Sequence, residues 1–273
     1  MGQDRKLSGG RHSSDEGANA DCPACGHARP RVPPRGDRSH YRCAGCKSLV
    51  RWHWPDAAGL AQLYASAWSE ADQRRFATGA TSAELARDLV GVAGTSPAGL
   101  NCLDFGAGRG TLAHQLVLDG ACCVAVEPFG PDPGIEGVRW FNSLADARPL
   151  APYDLIYAIE VIEHHRCPSQ CLTELTEDMD GGSLLVITTP NSRGLNARLL
   201  GPRWRELHNL THLCLFSPAG LRSCADRAGL ELRTRHSGSV GYRRHGFRLI
   251  LQRALQRLRL DGSLRMVFAK SDL

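Results

Sequence analysis

The chain has 273 residues, which is enough for one α/β domain and a small additional module. Hydrophobic residues make up 42% of it, and no apolar run approaches the roughly 18 residues of a membrane-spanning helix. These values exclude an integral membrane protein and predict a soluble one with no membrane partner. The net charge of +5 is uneven, because residues 229–273 hold ten Arg or Lys against three acidic residues. Such a basic tail can attract nucleic acid, although the preference for arginine over lysine can also come from the base composition of a GC-rich genome.

The first segment, residues 1–21, lacks the apolar stretch of a secretion signal and has the polar composition of a disordered leader. We therefore expect a cytoplasmic protein. Eleven cysteines in such a chain favour metal binding and scattered buried thiols over a disulfide framework.

Two Cys-x-x-Cys turns face each other across seventeen residues, and this spacing predicts a zinc ribbon over residues 22–52. Four thiolates complete a tetrahedral shell with no open position, so the zinc would be structural. The alternative is four free cysteines in a loop. The predicted ligands are Cys22, Cys25, Cys43 and Cys46. Cys102, Cys122 and Cys123 lie in strand-like runs and are expected to fill the core.

Residues 53–99 are predicted to form a helical linker or cap. The pattern is helical from residue 56 to residue 92, with Leu60, Leu63, Tyr64 and Trp68 on one face. For Leu60 and Leu63 we favour an ordinary core stripe over a role in a site.

Strand and helix signals alternate from residue 100 onward. This alternation predicts an α/β fold with a Rossmann-like, seven-stranded and mostly parallel sheet in a domain spanning residues 100–273. Strands are expected at 100–105, 121–126, 138–141, 153–159 and 183–189, and helices at 110–118, 168–179 and 218–228. Segments 231–236 and 264–269 are candidates for a final antiparallel pair.

A glycine-rich turn follows the first of these strands, and such a turn lets the backbone approach a ligand at the start of a helix. Its residues are Asp104, Gly106, Gly108 and Gly110. Glu127 ends the next strand about twenty residues on, where an acid can bind both ribose hydroxyls. A dinucleotide-binding dehydrogenase, a tight turn without ligand and an exposed acid at a strand end are the alternatives.

The fourth strand is followed by the sequence Glu160-Val-Ile-Glu163-His164-His165, at the edge of the sheet where open α/β folds bind substrates. If this stretch is helical, Glu160, Glu163 and His164 share one face and form a partial shell for Mg²⁺ or Mn²⁺. His212 could add a ligand or a base. General-base catalysis by His164 or His212 and a purely structural role are the alternatives.

Several segments together resemble class I S-adenosylmethionine-dependent methyltransferases. They are Leu-Asp-Phe-Gly-Ala-Gly-Arg-Gly at 103–110, Val-Glu-Pro at 126–128 and the stretches 153–165, 180–191 and 212–218. With its two Cys-x-x-Cys turns, the chain is similar to zinc-ribbon methyltransferases of sugar, cell-surface or natural-product pathways. Glu-x-x-Glu-His arrangements with a later histidine also occur in small-RNA 2′-O-methyltransferases and ubiquinone-pathway O-methyltransferases, where a metal orients substrate oxygens.

The resemblance implies a binding site for S-adenosylmethionine. Asp104 and the three glycines would line its methionine and ribose, Glu127 would hold the ribose, and Ser143 and Leu144 would approach the adenine. Asp146 would compensate for the acid that is missing at Ser143. Glu160 is assigned to the cofactor site, and Glu163, His164 and His212 are the candidate catalytic residues.

The predicted function is methyl transfer from S-adenosylmethionine to a small polar metabolite of a natural-product or sugar pathway. Two other functions are weighed against it: a possibly metal-assisted 2′-O-methyltransferase of RNA, and a non-catalytic protein whose ribbon mediates contacts.

Overall fold

The computed structural model describes residues 21–32, 39–67, 86–236 and 260–271. Three predictions therefore fall wholly or mostly outside the described residues: the disordered leader, Trp68 with most of the second half of the cap, and the part of the basic tail between residues 237 and 259. No helix among the described residues is long and apolar enough to cross a membrane.

The N-terminal module is a short antiparallel hairpin. Its strands are β1 (His40–Arg42) and β2 (Leu49–Arg51), with Tyr41 opposite Val50. The two Cys-x-x-Cys turns are held by backbone hydrogen bonds from the amide of Gly26 to the carbonyl of Cys22 (2.7 Å) and from that of Lys47 to that of Cys43 (3.1 Å). Both turns thus end in a residue with positive φ, 70° at Gly26 and 68° at Lys47. The turns are therefore built alike, as expected for two halves of one metal site.

Seven strands form the main sheet. They are β3 (Asn101–Phe105), β4 (Cys122–Val126), β5 (Val138–Phe141), β6 (Leu155–Ile159), β7 (Leu184–Pro190), β9 (Leu230–His236) and β10 (Ser263–Lys270). Their spatial order is β5-β4-β3-β6-β7-β10-β9. The first five are parallel, and β10 runs antiparallel to both of its neighbours. The seven-stranded sheet and its final antiparallel pair are confirmed.

Six α-helices have described bounds: α1 (Ala57–Ala67), α2 (Thr111–Leu118), α3 (Leu144–Ala147), α4 (Pro168–Glu177), α5 (Leu195–Leu200) and α6 (Pro218–Asp226). Residues 86–90 are helical too and continue into a 3₁₀ turn, Gly91–Ala93. Further 3₁₀ turns occur at Arg148–Leu150, Ile162–His164, Gly201–Arg203 and Arg205–Leu207. Proline at the first position starts α4 and α6, where its missing N–H costs nothing.

Both faces of the sheet are buried. Successive residues of each strand point to opposite faces and therefore pack into two different apolar clusters. On β6, Ile156 packs into the core beneath α4 and α6, whereas Leu155 and Tyr157 pack into the core shared with α2 and residues 86–93. Cys102 and Cys123 fill this core as predicted, but the prediction for Cys122 is wrong: it is exposed, at the first position of β4.

The zinc-ribbon segment shares its core with the main domain. A short strand, β8 (Cys214–Leu215), pairs with β2 and makes the hairpin three-stranded. The buried ribbon residues Cys22, Cys43 and Val50 belong to the same apolar cluster as Phe216 and Leu221 beside α6. The ribbon is thus fused to the rest of the fold by backbone pairing and by packing.

Candidate active site

The glycine-rich turn lies between β3 and α2 at the carboxyl edge of the sheet. The amides of Gly106 and Ala107 both donate to the carbonyl oxygen of Val126, at 2.8 and 3.0 Å. Gly106 has φ 75°, and a side chain there would collide with Val161. Gly108 has φ 59°, but a Cβ at this position would meet open space. The turn therefore requires glycine and leaves room for a ligand above its backbone.

Glu127 is tied to this turn by its carboxylate. One oxygen accepts a hydrogen bond from the amide of Gly108 (2.9 Å) and the other from the amide of Phe129 (3.0 Å). The side chain is buried. Two backbone donors fix the orientation of the carboxylate, and each of its oxygens retains a lone pair for a further donor. The arrangement fits the ribose-binding role that the sequence predicts for Glu127.

Ser143 and Asp146 form a pair at the start of α3. The Ser143 hydroxyl donates to the Asp146 carboxylate at 2.6 Å and accepts from the Asp146 amide at 3.2 Å. An acid does therefore lie beside Ser143, although the contact of Ser143 and Leu144 with adenine stays a prediction.

The carboxylate of Asp104, at the glycine turn, is buried and bonded within the protein. It accepts a hydrogen bond from the amide of Ala113 in α2 (3.0 Å). Burial raises the pKa of Asp104 to about 7.

A cavity of about 610 Å³ opens beside the glycine turn. This volume lies within the range of small-molecule sites, about 300–1,000 Å³. Four of the predicted residues line it: Gly106, Glu127, Glu160 and His164. Other lining residues come from α1, from the end of β3, from the segment after β4, from the β6–α4 connection and from α4 itself: Leu60, Ala61, Tyr64, Phe105, Pro128, Phe129, Val161, His165, Arg166, Cys167, Gln170, Cys171 and Glu174.

Helix α1 closes one side of this cavity through Tyr64. The Tyr64 ring stacks on Phe129, with centroids 4.4 Å apart and planes at 18°, and meets His164 edge-on at 5.8 Å. Phe129 follows Glu127 by two residues, so Tyr64 bridges the candidate cofactor side and the candidate catalytic side. The sequence placed Tyr64 on a helical stripe but gave it no role in the site.

The segment after β6 does not form the continuous helix that would place its acids on one face. Glu160 adopts φ 55°, and only Ile162–His164 make a 3₁₀ turn. The Glu160 carboxylate accepts from the hydroxyls of Thr188 (3.1 Å) and Ser263 (3.4 Å), while its side chain stays open to solvent in the cavity. Glu160 is therefore not one of the group formed by Glu163, His164 and His212, although its charge still acts on Glu163.

Those three side chains offer ligand atoms within 4.8 Å of one another. The imidazole centroids of His164 and His212 are 4.8 Å apart. His164 lines the cavity, whereas Glu163 and His212 are buried and do not line it. If a group of this cluster contacts an acceptor in the cavity, His164 is therefore the one placed to do so, with the other two as support.

Hydrogen bonds define the tautomers of both histidines. Nδ1 of His164 lies 3.1 Å from the carbonyl oxygen of Thr211, and Nδ1 of His212 lies 3.2 Å from that of Glu206. A carbonyl can only accept, so both Nδ1 atoms carry the proton and both Nε2 atoms carry a lone pair. The Nε2 of His212 is already engaged by Asn209 Nδ2 at 3.0 Å. Burial lowers the pKa of His164 to about 3 and that of His212 to about 4, so both rings are neutral at pH 7.

Glu163 is the most enclosed acid of the site. One oxygen accepts from the Thr189 hydroxyl at 2.9 Å, and the other, Oε1, has no hydrogen-bond partner in the described part of the chain. Oε1 lies 4.0 Å from Nε2 of His164. Burial, followed by the neighbouring charge of Glu160, holds the pKa of Glu163 well above its ordinary value.

The four ribbon cysteines form a separate cluster. Their sulfurs lie within 4.8 Å of one another, with Cys22 Sγ 3.8 Å from Cys46 Sγ and Cys25 Sγ 3.6 Å from Cys43 Sγ. A tetrahedron with Zn–S bonds of about 2.3 Å has edges of about 3.8 Å. The four thiols therefore fit one zinc ion, which would be held in a closed, structural site.

A family model described as "Methyltransferase domain" matches residues 74–235. A search of curated proteins found no significant match. Many solved structures are similar at low identity. Magnesium protoporphyrin IX methyltransferase from Synechocystis PCC 6803, solved with S-adenosylhomocysteine, has a TM-score of 0.56 at 15% identity, over 79% of this chain and all of that one.

Two further solved structures have the same fold. A possible histamine N-methyltransferase from Thermotoga maritima has a TM-score of 0.54 at 14% identity, covering 78% of this chain and all of that one. The 1,6-didemethyltoxoflavin N1-methyltransferase of Burkholderia thailandensis, solved with bound 1,6-didemethyltoxoflavin and S-adenosylhomocysteine, has a TM-score of 0.55 at 15% identity, covering 85% of this chain and 99% of that one. At these identities the likeness establishes the fold.

Proposed function

Because this chain belongs to the S-adenosylmethionine-dependent methyltransferases, we propose that it methylates a small polar metabolite of a natural-product or sugar pathway, with His164 as general base. The observation that carries this proposal is that one cavity is lined both by Gly106 and Glu127, the candidate cofactor residues, and by His164. Its volume suits a small acceptor. The enzyme from Burkholderia thailandensis, which has the same fold, was solved with a small molecule of this kind.

The cofactor would occupy the side of the cavity at the carboxyl ends of β3 and β4. The positive-φ glycines and the open space above Gly108 leave room for it, and the fixed carboxylate of Glu127 would accept hydrogen bonds from the ribose hydroxyls. S-adenosylmethionine supplies an activated methyl group on a sulfonium. The protein has to align that group with the acceptor and exclude water, which the stacked pair of Tyr64 and Phe129 supports.

His164 would remove the proton of the acceptor's hydroxyl or amine. The freed electron pair forms the new bond to the methyl carbon as the carbon–sulfur bond breaks, and S-adenosylhomocysteine leaves. Nε2 of His164 holds the required lone pair, because Nδ1 is committed to Thr211. A base with this low pKa is a weak one, but it is fully in its basic form at neutral pH, and a positioned base typically contributes 10²–10⁴-fold.

A divalent ion is a second candidate for this cluster, as in a metal-assisted 2′-O-methyltransferase of RNA. Oε1 of Glu163, which has no hydrogen-bond partner among the described residues, lies 4.0 Å from Nε2 of His164, and His212 would be the third ligand. Against it, the Nε2 of His212 is already bonded to Asn209. Two imidazoles and one carboxylate also suit Mn²⁺ or another transition ion better than Mg²⁺.

The acceptor class can be tested with S-adenosylmethionine labelled in its methyl group. Purified enzyme is incubated with the small-molecule fraction and, separately, with the RNA fraction of the source cells. We expect label in the small-molecule fraction, with the rate unchanged by a mild chelator that leaves the zinc in place. Label confined to RNA, or activity lost to the chelator and restored by Mn²⁺, supports the second candidate instead.

A further inference from the structure

We propose that Arg51 is a positioning residue for the reaction, because its buried guanidinium fixes the loop 207–212 that orients His164. This inference rests on the proposed role of His164. It also assigns to the zinc-ribbon segment a task beyond folding, since Arg51 is the last residue of β2.

Arg51 reaches four main-chain carbonyl oxygens of one short stretch. Its Nη2 donates to those of Asn209 (2.7 Å) and Leu207 (3.2 Å), and its Nε donates to that of His212 (3.2 Å). Its own amide donates to Leu213 at 2.9 Å. The residue is only 6% exposed. A fixed fork of donors therefore gathers three carbonyl groups of one loop onto a single buried side chain.

The same stretch holds His164 in place. The carbonyl oxygen of Thr211 accepts the Nδ1 proton of His164, and the ring of His212 packs against that of His164. The amide of Leu213 donates to the carbonyl oxygen of Glu163 at 2.9 Å. Arg51 thus bonds directly to the main chain of His212 and Leu213, and Thr211 is the residue next to His212.

The loop has little regular structure of its own to hold it. It follows the 3₁₀ turn Arg205–Leu207, and His208, Asn209 and Leu210 are exposed. Asn209 braces it locally, because its Oδ1 accepts from the amide and the hydroxyl of Thr211 at 3.1 and 2.8 Å. These bonds lie within the loop, whereas the bonds of Arg51 join it to another element. A displacement of about 1 Å at a reacting group can cost about 10²-fold in rate, so this attachment bears on catalysis.

The position of Arg51 depends in turn on the ribbon. The Ser48 hydroxyl, just before β2, lies 3.2 Å from Cys46 Sγ and accepts from the amide of Ser217 at 3.0 Å. The cysteine cluster, β2 and the loop therefore form one connected unit. Loss of the zinc should disturb His164 through this route.

The test compares Arg51→Met, which keeps an unbranched stem but removes the guanidinium and its donors, with Arg42→Met. Arg42 is an exposed ribbon arginine on β1 whose Nη1 donates to Lys47. Nitrogen-15 NMR of the His164 ring reports its tautomer, and amide hydrogen exchange reports the loop; neither needs an acceptor. We expect Arg51→Met to move His164 away from the pure Nδ1–H form and to speed exchange at 207–213 by about tenfold or more. Millimolar guanidinium should partly restore both readouts, and Arg42→Met should match the parent protein.

If Arg51→Met unfolds, Arg51→Lys gives the same test, since it keeps the charge but not the fork. An unchanged His164 tautomer and unchanged loop exchange in a folded Arg51 variant overturn the proposal. The proposed function is tested separately. Full turnover in a His164→Ala protein would show that His164 is not the base. The link between Arg51 and the loop would still be measured by NMR in the Arg51 variants.

Discussion

Nδ1 of His164 donates to the carbonyl oxygen of Thr211 at 3.1 Å, and this bond leaves Nε2 of the same ring as its acceptor atom. His164 lines the cavity that also contains Glu127, whereas its neighbours Glu163 and His212 lie buried behind it. Two residues far apart in sequence therefore determine which nitrogen of the histidine can take a proton.

The first prediction concerns turnover. His164→Ala should lower kcat by about 10²-fold or more, because the acceptor's proton then has to leave to water. The affinity for S-adenosylhomocysteine should stay within about twofold of the parent value. Steady-state kinetics and calorimetry measure the two effects. His114→Ala, an exposed histidine on α2, is the matched control. Full activity of the His164 variant would show that this ring is only structural support.

The second prediction concerns the pH dependence of kcat. Burial lowers the pKa of His164 to about 3, so the ring is already in its basic form across the neutral range. At saturating cofactor and acceptor, kcat should not rise through a histidine titration between pH 5 and 8. A solvent-exposed histidine, with its ordinary pKa of about 6.5, would instead give a rise in kcat near that pH. A clear limb near pH 6.5 that disappears in His164→Ala would contradict the buried, neutral ring.

The third prediction concerns Asp104 and stability. Burial raises its pKa to about 7, above the unfolded value of about 3.9, so the folded state binds the extra proton between these limits. Ionisation of Asp104 therefore costs stability as the pH rises through this window, up to about 4 kcal/mol above pH 7. Relative to the parent protein, Asp104→Asn should gain stability from pH 5 to pH 8 in urea unfolding. Asp132→Asn, which alters an exposed acid, should show no such trend. A constant difference between parent and Asp104→Asn would mean that Asp104 is ionised throughout.

The fourth prediction concerns zinc. Elemental analysis should find one zinc ion per chain, and Cys43→Ser should lose it. Because the ribbon shares its core with the main sheet, this loss should lower the melting temperature of the whole protein by about 5 °C or more in a single transition. Cys122→Ser, at an exposed cysteine, is the control. Retention of zinc and of the melting temperature by Cys43→Ser would rule out the four-thiolate site.

The sheet, its antiparallel end and the contact between the glycine turn and Glu127 were predictable, because period and spacing are local signals. Gly106, Gly108 and Glu127 belong to one strand–turn–helix unit and its neighbouring strand, so their proximity follows from the order of the elements. The strands were foreseen to within about two residues at each end.

Contacts between distant segments were not predictable in this way. The pairing of β2 with β8, which brings Arg51 to the His212 loop, leaves no periodic trace in either segment. The left-handed conformation of Glu160 is likewise set by its surroundings, since a glutamate has no intrinsic preference for it. The stacking of Tyr64 on Phe129 depends on where α1 docks, and a helical stripe alone does not tell a core face from a cavity wall.

We expect the glycine turn and Glu127 to bind the methyl donor. Calorimetric titration with S-adenosylmethionine compares the parent protein with Glu127→Gln and with Glu136→Gln, which alters an exposed acid. We predict one site per chain, an affinity about ten- to a hundredfold lower in Glu127→Gln, and no change in Glu136→Gln. An affinity in Glu127→Gln equal to that of the parent protein, or no binding to the parent protein, would contradict the account.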